Sequence, residues 1–140
     1  MKTKLGAWLF LLPLILAACS QEPVQTVPYD ELEWQQDVYL WKNEPFSGVA
    51  VALHEDGSKK GEYPFVEGRF DGVVREFWPN GQQSVETHFE KGQRHGSNRY
   101  WNEAGQLTKE QIYEHDRSVS VKKYEVKAED SKGQPHGAVR

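Results

Sequence analysis

The chain has 140 residues, 17 basic and 21 acidic side chains, and a formal net charge of −4 when its five histidines are neutral. This length suits a single domain. The acidic balance excludes nucleic acid as a favoured partner, because proteins that bind phosphate backbones carry an excess of lysine and arginine.

The first 18 residues have the features of a secretory signal peptide. Two lysines precede an apolar run from Leu5 to Ala18 that contains no acidic residue. The run is shorter than the about 20 apolar residues that a membrane-spanning helix needs. It ends in Leu-Ala-Ala before Cys19, which resembles the lipobox of bacterial lipoproteins. We therefore predict that residues 1–18 are removed and that Cys19 carries the lipid.

Cys19 is the single cysteine of the chain, so it cannot form an internal disulfide. A free thiol would be a liability in an oxidising compartment, and acylation gives it a use. Ser20 follows it, which by resemblance to enterobacterial sorting signals indicates the outer membrane, facing the periplasm. We thus expect an exported protein, lipid-anchored to the cell envelope. The alternative is an ordinary signal peptide with a chance cysteine.

Two segments separate the anchor from the rest of the chain. Residues 19–28 are polar, contain Pro23 and Pro28, and are predicted to form a flexible tether. Residues 29–47 are too aromatic for a tether. We expect them to form one or two capping strands, with 38–41 the best candidate, that cover the exposed edge of the first hairpin.

From residue 48 onward the chain repeats with a period of 24 residues. Glycines recur at this period in three registers: Gly48, Gly72, Gly96; Gly57, Gly81, Gly105; and Gly68, Gly92. The repeats span 48–71, 72–95 and 96–116. Residues 117–140 are predicted to form a further strand followed by a partial repeat. This partial repeat would be either a cap on the stack or the result of a truncated chain.

Each repeat divides into two short segments rich in aromatic and β-branched residues, separated by a glycine turn, as in a β-hairpin. In Trp78-Pro79-Asn80-Gly81, Pro79 fixes φ near −65° and excludes a type I′ turn. We predict a type I turn with Gly81 in a G1 bulge, and the same turn at Gly57 and Gly105. Gly48, Gly72 and Gly96 are predicted turn glycines as well.

The predicted fold is all-β, an elongated antiparallel sheet of stacked hairpins. Stacking brings equivalent large residues together into an aromatic spine. Its members are Leu53, Phe77 and Trp101, beside Phe65, Phe89 and Tyr113.

The repeats resemble the bacterial MORN-repeat variant family, whose members carry the label of YwqK-type antitoxins. The resemblance rests on Glu44-Pro45-Phe46-Ser47-Gly48 and on units that run from glycine through two aromatics to glycine, from Gly72 to Gly81 and from Gly96 to Gly105. It covers roughly residues 45–116. It implies stacked hairpins and no enzymatic activity. For an exported chain, the antitoxin label would mean neutralising a toxin in the periplasm.

No catalytic, metal or cofactor site is expected. The histidines lack the spacing that places two ligands on one helical face, and no cysteine accompanies them. Glu86 and His88 share a strand face and could form an acid/base pair, but Glu62 and Glu110 occupy the same repeat position without a histidine nearby. The glutamates therefore indicate a repeating solvent face.

The first functional hypothesis is a protein-recognition module that uses Arg75, Trp78, Arg99 and Tyr100, since aromatics beside arginine favour protein binding. Alternatively, Trp78 and Tyr100 complete the core. The expected partner is a periplasmic or envelope protein, which includes a toxin. A second hypothesis is a structural lipoprotein that contacts lipid or peptidoglycan. A hydrolase would require a pocket around Glu86 and His88.

Overall fold

The computed structural model describes residues 24–126, and its regular elements are β-strands apart from one 3-10 turn at Tyr29–Glu31. The predicted all-β class is confirmed. The signal peptide, Cys19 and the C-terminal residues 127–140 lie outside the described residues. The strands are β1 Thr26–Pro28, β2 Glu33–Gln35, β3 Val38–Trp41, β4 Glu44–Pro45, β5 Gly48–Leu53, β6 Lys59–Val66, β7 Arg69–Phe70, β8 Gly72–Phe77, β9 Gln83–Glu90, β10 Gln93–Trp101, β11 Leu107–Glu114 and β12 Arg117–Lys123.

Nine of these strands form one sheet in the order β1-β5-β6-β8-β9-β10-β11-β12, with β7 paired to β6. Each predicted repeat contributes one hairpin: β5 with β6, β8 with β9, and β10 with β11. All neighbours are antiparallel except β1, which runs parallel to β5. A separate sheet of β2, β3 and β4 precedes the first repeat.

The predicted turn within each repeat is present. Gly81 has a φ of +82°, its N–H donates to the carbonyl oxygen of Trp78 at 2.8 Å, and the Trp78 N–H donates to the carbonyl of Gln82 at 2.8 Å. The strand register shifts between Glu76 and Phe77, as a bulge requires. Gly57 and Gly105 have φ values of +83° and +77° in the same hydrogen-bonding arrangement.

The turns between repeats are of a second kind, with two central residues that both have positive φ, as in type I′ turns. Their second residues are Gly68, Gly92 and Asp116, and Asp116 has a φ of +63°. Aspartate tolerates this conformation better than most side chains. The N–H groups of these residues donate to the carbonyl oxygens of Phe46, Phe70 and Arg94, which ties each turn to the preceding repeat.

The prediction that Gly48, Gly72 and Gly96 are turn residues is wrong. Gly48 and Gly72 begin β5 and β8, and Gly96 lies within β10. Their φ values are +152°, +99° and +96°, and each pairs with an aromatic residue of the neighbouring strand: Phe65, Phe89 and Tyr113 respectively. Glycine supplies an unusual backbone conformation here too, but inside the sheet.

Side chains alternate between the two sides of the sheet. One side, the charged face, carries Glu62, Arg75, Glu86, Arg99 and Glu110, which are register partners across adjacent strands. The opposite side, the aromatic face, carries Tyr63, Phe65, Val74, Glu76 and Phe89.

The hydrophobic core lies on the aromatic face at the first repeat, where Val27, Phe46, Ala50 and Phe65 are buried together. The assignment of residues 19–28 to a tether is therefore wrong from Thr26 onward. Val27 is 4% exposed, and its burial adds to the pairing of β1 with β5. Strand β1, rather than residues 29–47, covers the edge of β5.

The predicted strand at Val38–Trp41 is present as β3, although it belongs to the small sheet. The N–H of Tyr39 donates to the carbonyl of Gly68 at 2.8 Å. The ring of Tyr39 contacts the rings of Phe65 and Phe70, with centroids 5.0 and 5.5 Å apart. The small sheet therefore covers the aromatic face near the first repeat.

The predicted aromatic spine exists in one of its two rows. Phe70 joins Phe65 and Phe89, with ring centroids 4.6 and 5.0 Å apart. In the second repeat Arg94 takes the place equivalent to Phe70 and lies over the ring of Tyr113, in the third repeat, at 4.3 Å. The other row is wrong for Leu53, which is 60% exposed, whereas Phe77 and Trp101 at the equivalent positions are half-buried.

Candidate binding surface

The predicted binding residues Arg75, Trp78, Arg99 and Tyr100 do not form one surface. Arg99 and Tyr100 are consecutive in β10 and point to opposite sides of the sheet. Arg75 lies on the charged face beside Arg99, whereas Tyr100 pairs with Val85 on the aromatic face. The prediction that these aromatics and arginines share one surface is therefore wrong.

Both arginines are held in a row of alternating charges. Glu86 lies between them, with its carboxylate oxygens 3.5 Å from Arg75 Nε and 3.6 Å from Arg99 Nη1. Arg99 Nε also donates to Glu110 Oε1 at 2.9 Å. Two of the glutamates that repeat at 24-residue spacing, Glu86 and Glu110, thus serve as partners of the arginines. Glu62 instead pairs with Lys59 Nζ at 2.6 Å. The row holds repeats together and leaves neither arginine unpaired for a ligand.

Trp78 links adjacent repeats. Its indole Nε1–H donates to the carbonyl oxygen of Trp101 at 3.2 Å. At the equivalent position of the first repeat, His54 Nε2 lies 2.9 Å from the carbonyl oxygen of Phe77. Asn80 adds a third link of this kind, to the carbonyl of Glu103 at 2.8 Å. These contacts support the alternative that Trp78 completes the structure.

Tyr100 and Trp78 nevertheless border an open groove of about 450 Å³. Phe77, Trp101 and Val85 contribute its apolar wall, and Glu76 contributes a carboxylate. Lys109 Nζ lies 3.8 Å from the ring centroid of Tyr100, a cation–π contact that orients the ring. The sequence had assigned Tyr100 to an exposed patch, but it is half-buried.

A second groove of about 360 Å³ lies nearer the small sheet and shares Glu76 and Val85 with the first. Tyr29, Tyr39 and Tyr63 line it together with Phe70 and Phe89. None of these three tyrosines was among the predicted binding residues. Alternation in β6 was the available signal, because Tyr63 and Phe65 are two residues apart and so share a face.

The tyrosine hydroxyls of this groove form a hydrogen-bonded set. Tyr29 Oη donates to Tyr39 Oη at 2.9 Å, and Tyr63 Oη donates to Glu76 Oε1 at 3.0 Å. Burial raises the pKa of Tyr29, and the Tyr39 hydroxyl adds to the shift. Burial also raises the pKa of Tyr63, reinforced by the negative charge of Glu76. Both tyrosines therefore stay neutral, and their hydroxyls act as hydrogen-bond donors.

Polar residues replace the core further along the aromatic face. Val74, Thr87 and Asn98 follow one another across three strands, and both Thr87 and Asn98 are buried. The apolar cluster around Phe65 does not continue there. The interior of this face thus changes from an apolar cluster at the first repeat to buried polar side chains at the later ones.

The proposed acid/base pair is not assembled. Glu86 is engaged by the two arginines, and His88 Nδ1 lies 2.7 Å from the carbonyl oxygen of Ser97. Within residues 24–126, no group of three or more histidine, cysteine, aspartate or glutamate residues is arranged to hold a metal ion. The same residues contain no helix long and apolar enough to cross a membrane.

None of the known protein-family models matches this chain, and a search of curated proteins finds no match. Its function is therefore inferred from sequence motifs and from the geometry of the two grooves.

Proposed function

We propose that this chain is a membrane-anchored, non-catalytic MORN-like repeat lipoprotein that acts as a protein-recognition module in the bacterial envelope. The lipobox-like residues before Cys19 support the anchor, and the 24-residue repeats support the MORN resemblance. The expected partner is an envelope or periplasmic protein.

The observation that carries the recognition role is the pair of aromatic-lined grooves on the aromatic face. The two grooves share Glu76 and Val85 as lining residues. They present tyrosine and tryptophan rings, which are enriched at the centres of protein interfaces. Tyr63 donates a hydrogen bond to Glu76, and Lys109 lies over the ring of Tyr100. Because these contacts already restrict Glu76 and Tyr100, little side-chain freedom is lost on binding.

The anchor would restrict where this partner lies. Seven peptide units separate Cys19 from the start of β1 at Thr26. At about 3.3–3.6 Å per residue, they reach at most about 25 Å. A lipid on Cys19 would therefore hold the sheet close to the membrane surface and favour partners that are themselves membrane-associated.

The proposal is tested by photo-cross-linking in living cells. A photoreactive phenylalanine analogue replaces Tyr100 on the aromatic face, where it keeps an aromatic ring. A matched chain carries it at Val66, which is exposed on the charged face. We expect one discrete protein adduct from position 100 and none from position 66.

Two outcomes would contradict recognition through this face. Adducts that are equal from both positions would mean contact without a preferred surface. Adducts to lipid or peptidoglycan from position 100, with no protein, would favour a structural envelope role.

A further inference from the structure

Within residues 24–126, the main sheet ends at β12, and no described strand pairs with its outer edge. β12 is the last strand in the sheet order, and all seven of its residues are exposed. It contains no proline, and Val119 and Val121 are apolar side chains left in solvent. Long exposed edge strands of this kind are templates for pairing with another strand.

The outward backbone groups of β12 can be assigned from the register. The N–H of Tyr124 donates to the carbonyl of Thr108 at 2.9 Å, and Lys123 is opposite Lys109 in the same register. Hydrogen-bonded and non-hydrogen-bonded pairs alternate in an antiparallel ladder. The N–H and C=O groups of Val121 and Lys123 therefore point away from β11 toward the open edge.

The charge pattern indicates what would pair there. Across the charged face, acidic and basic residues alternate from Glu62 to Glu110, and Lys122 is the register partner of Glu110 on β12. The next strand in this alternation would place a carboxylate opposite Lys122. On the other face, Lys123 stands opposite Lys109, and like charges in that position repel. Among the described residues, no ion pair joins Lys122 or Lys123 to a carboxylate.

A second copy of the chain is a poor occupant of this edge. β12 carries Arg117, Lys122 and Lys123 and no acidic residue, so two paired β12 strands would bring the cations of both copies together. The opposite end of the sheet offers little either, because β1 has only three residues and includes Pro28, which lacks an N–H.

The C-terminal sequence of the chain also lacks the repeat signature needed for the next hairpin. Glu129 stands at the 24-residue equivalent of Gly57, Gly81 and Gly105. Gly137 stands at the equivalent of the aromatic residues Phe65, Phe89 and Tyr113. A continuation of the sheet by the same chain would lose both the bulged turn and the spine residue.

We infer that the edge of β12 binds an extended acidic segment of a partner protein by β-strand addition, with carboxylates set against Lys122 and Lys123. This inference rests on the proposed recognition function and specifies where and what the module recognises. Backbone hydrogen bonds to Val121 and Lys123 would supply affinity, and the two lysines would supply the preference for acidic sequence.

The test uses the full chain in detergent and fluorescent nine-residue peptides of alternating valine and threonine with two adjacent central glutamates. Control peptides carry glutamines or lysines at the centre. Fluorescence anisotropy measures binding. We expect the glutamate peptide to bind at least about tenfold more tightly than the glutamine peptide, with a preference that weakens as salt is raised.

Two variants separate backbone pairing from charge. Val121→Pro removes an N–H that faces the open edge and spares the pairing with β11, so binding of both peptides should be lost. Lys122→Gln with Lys123→Gln should abolish only the preference for glutamate. The matched control, Lys59→Gln with Lys60→Gln, alters an adjacent lysine pair on the interior strand β6 and should leave binding unchanged.

Equal binding of the glutamate and lysine peptides, or full binding by Val121→Pro with the far-UV circular dichroism of the parent, would overturn the inference. So would a concentration-dependent dimer that the peptide does not dissociate, because a second copy would then occupy the edge. Tighter peptide binding by Glu129→Gln with Asp130→Gln would show that the chain's own C-terminal residues occupy it.

Failure here is distinguishable from failure of the proposed function. If the peptides do not bind but position 100 still cross-links to one protein, recognition stands and occurs through the aromatic face alone. If neither experiment detects a protein or peptide partner, the recognition role itself is refuted.

Discussion

Replacing Phe65 by alanine should destabilise the sheet strongly, whereas the same change at Leu53 should not. Both residues belong to the aromatic spine predicted from the repeats. Phe65 is 2% exposed and Leu53 is 60% exposed. The pair therefore tests whether the core is confined to the row that contains Phe65.

The size of the effect follows from the packing of Phe65. Its ring centroid lies 4.6 Å from that of Phe70, 5.0 Å from Tyr39 and 5.7 Å from Phe46. Removing such a ring deletes buried apolar surface and leaves a cavity between the main sheet and the small sheet, at a cost of about 3–5 kcal/mol. Leu53→Ala should change the free energy of unfolding by less than about 0.5 kcal/mol.

Urea unfolding followed by far-UV circular dichroism measures both changes. A loss of 3 kcal/mol is a large share of the about 5–15 kcal/mol that stabilises a domain. It should lower the melting temperature by at least about 12 °C for a domain near 100 residues. Equal destabilisation by the two substitutions, or a smaller effect at Phe65, would refute the placement of the core.

Gly81→Val should lower the free energy of unfolding by about 1–2 kcal/mol, because a β-branched residue is strained at positive φ. A steric clash does not contribute, since no atom outside the adjacent residues lies within 4 Å of the added Cβ. Gly81→Asn should cost less, since asparagine tolerates this conformation, and equal melting temperatures for the valine variant and the parent would contradict the strain argument. Hydrogen bonding to Arg94 lowers the pKa of Asp116 in the folded chain. The ionised carboxylate therefore stabilises the folded state at pH values above its unfolded pKa of about 3.9. This stabilisation is lost as the pH falls through the folded pKa. Asp116→Asn should therefore reduce the unfolding free energy by about 0.5 kcal/mol near neutral pH and by less in acid, and a difference independent of pH would rule out the charge.

Local sequence chemistry was sufficient for the hairpins and for the turns inside them. Pro79 restricts φ and Gly81 permits a positive value, and both constraints act within four residues. The 24-residue period then repeats the same local solution. For this reason the all-β class and the positions of the three hairpins could be predicted before any long-range contact was known.

The candidate site could not be predicted in the same way. Each hairpin contains a bulge that shifts the pairing by one residue, and a shift of one residue exchanges the faces. Arg99 and Tyr100 were grouped by residue type, although the alternation of side chains along a strand already places consecutive residues on opposite sides. The salt-bridge partners of Arg75 and Arg99 and the grooves around Glu76 depend on this register.

The strand at one end of the main sheet, β1, also could not be predicted from its own residues. Thr26 and Val27 are β-branched and favour a strand, but three residues are too few to predict one, and the stability of β1 comes from pairing with β5 and from burying Val27 against residues more than 18 positions away. In contrast, the type I′ turn at Asp116 and the glycine turns follow from the residues at those positions. Turn chemistry is local and can be deduced from a short stretch of sequence, whereas pairing of strand edges and coverage of a sheet face depend on segments that meet only in the folded chain.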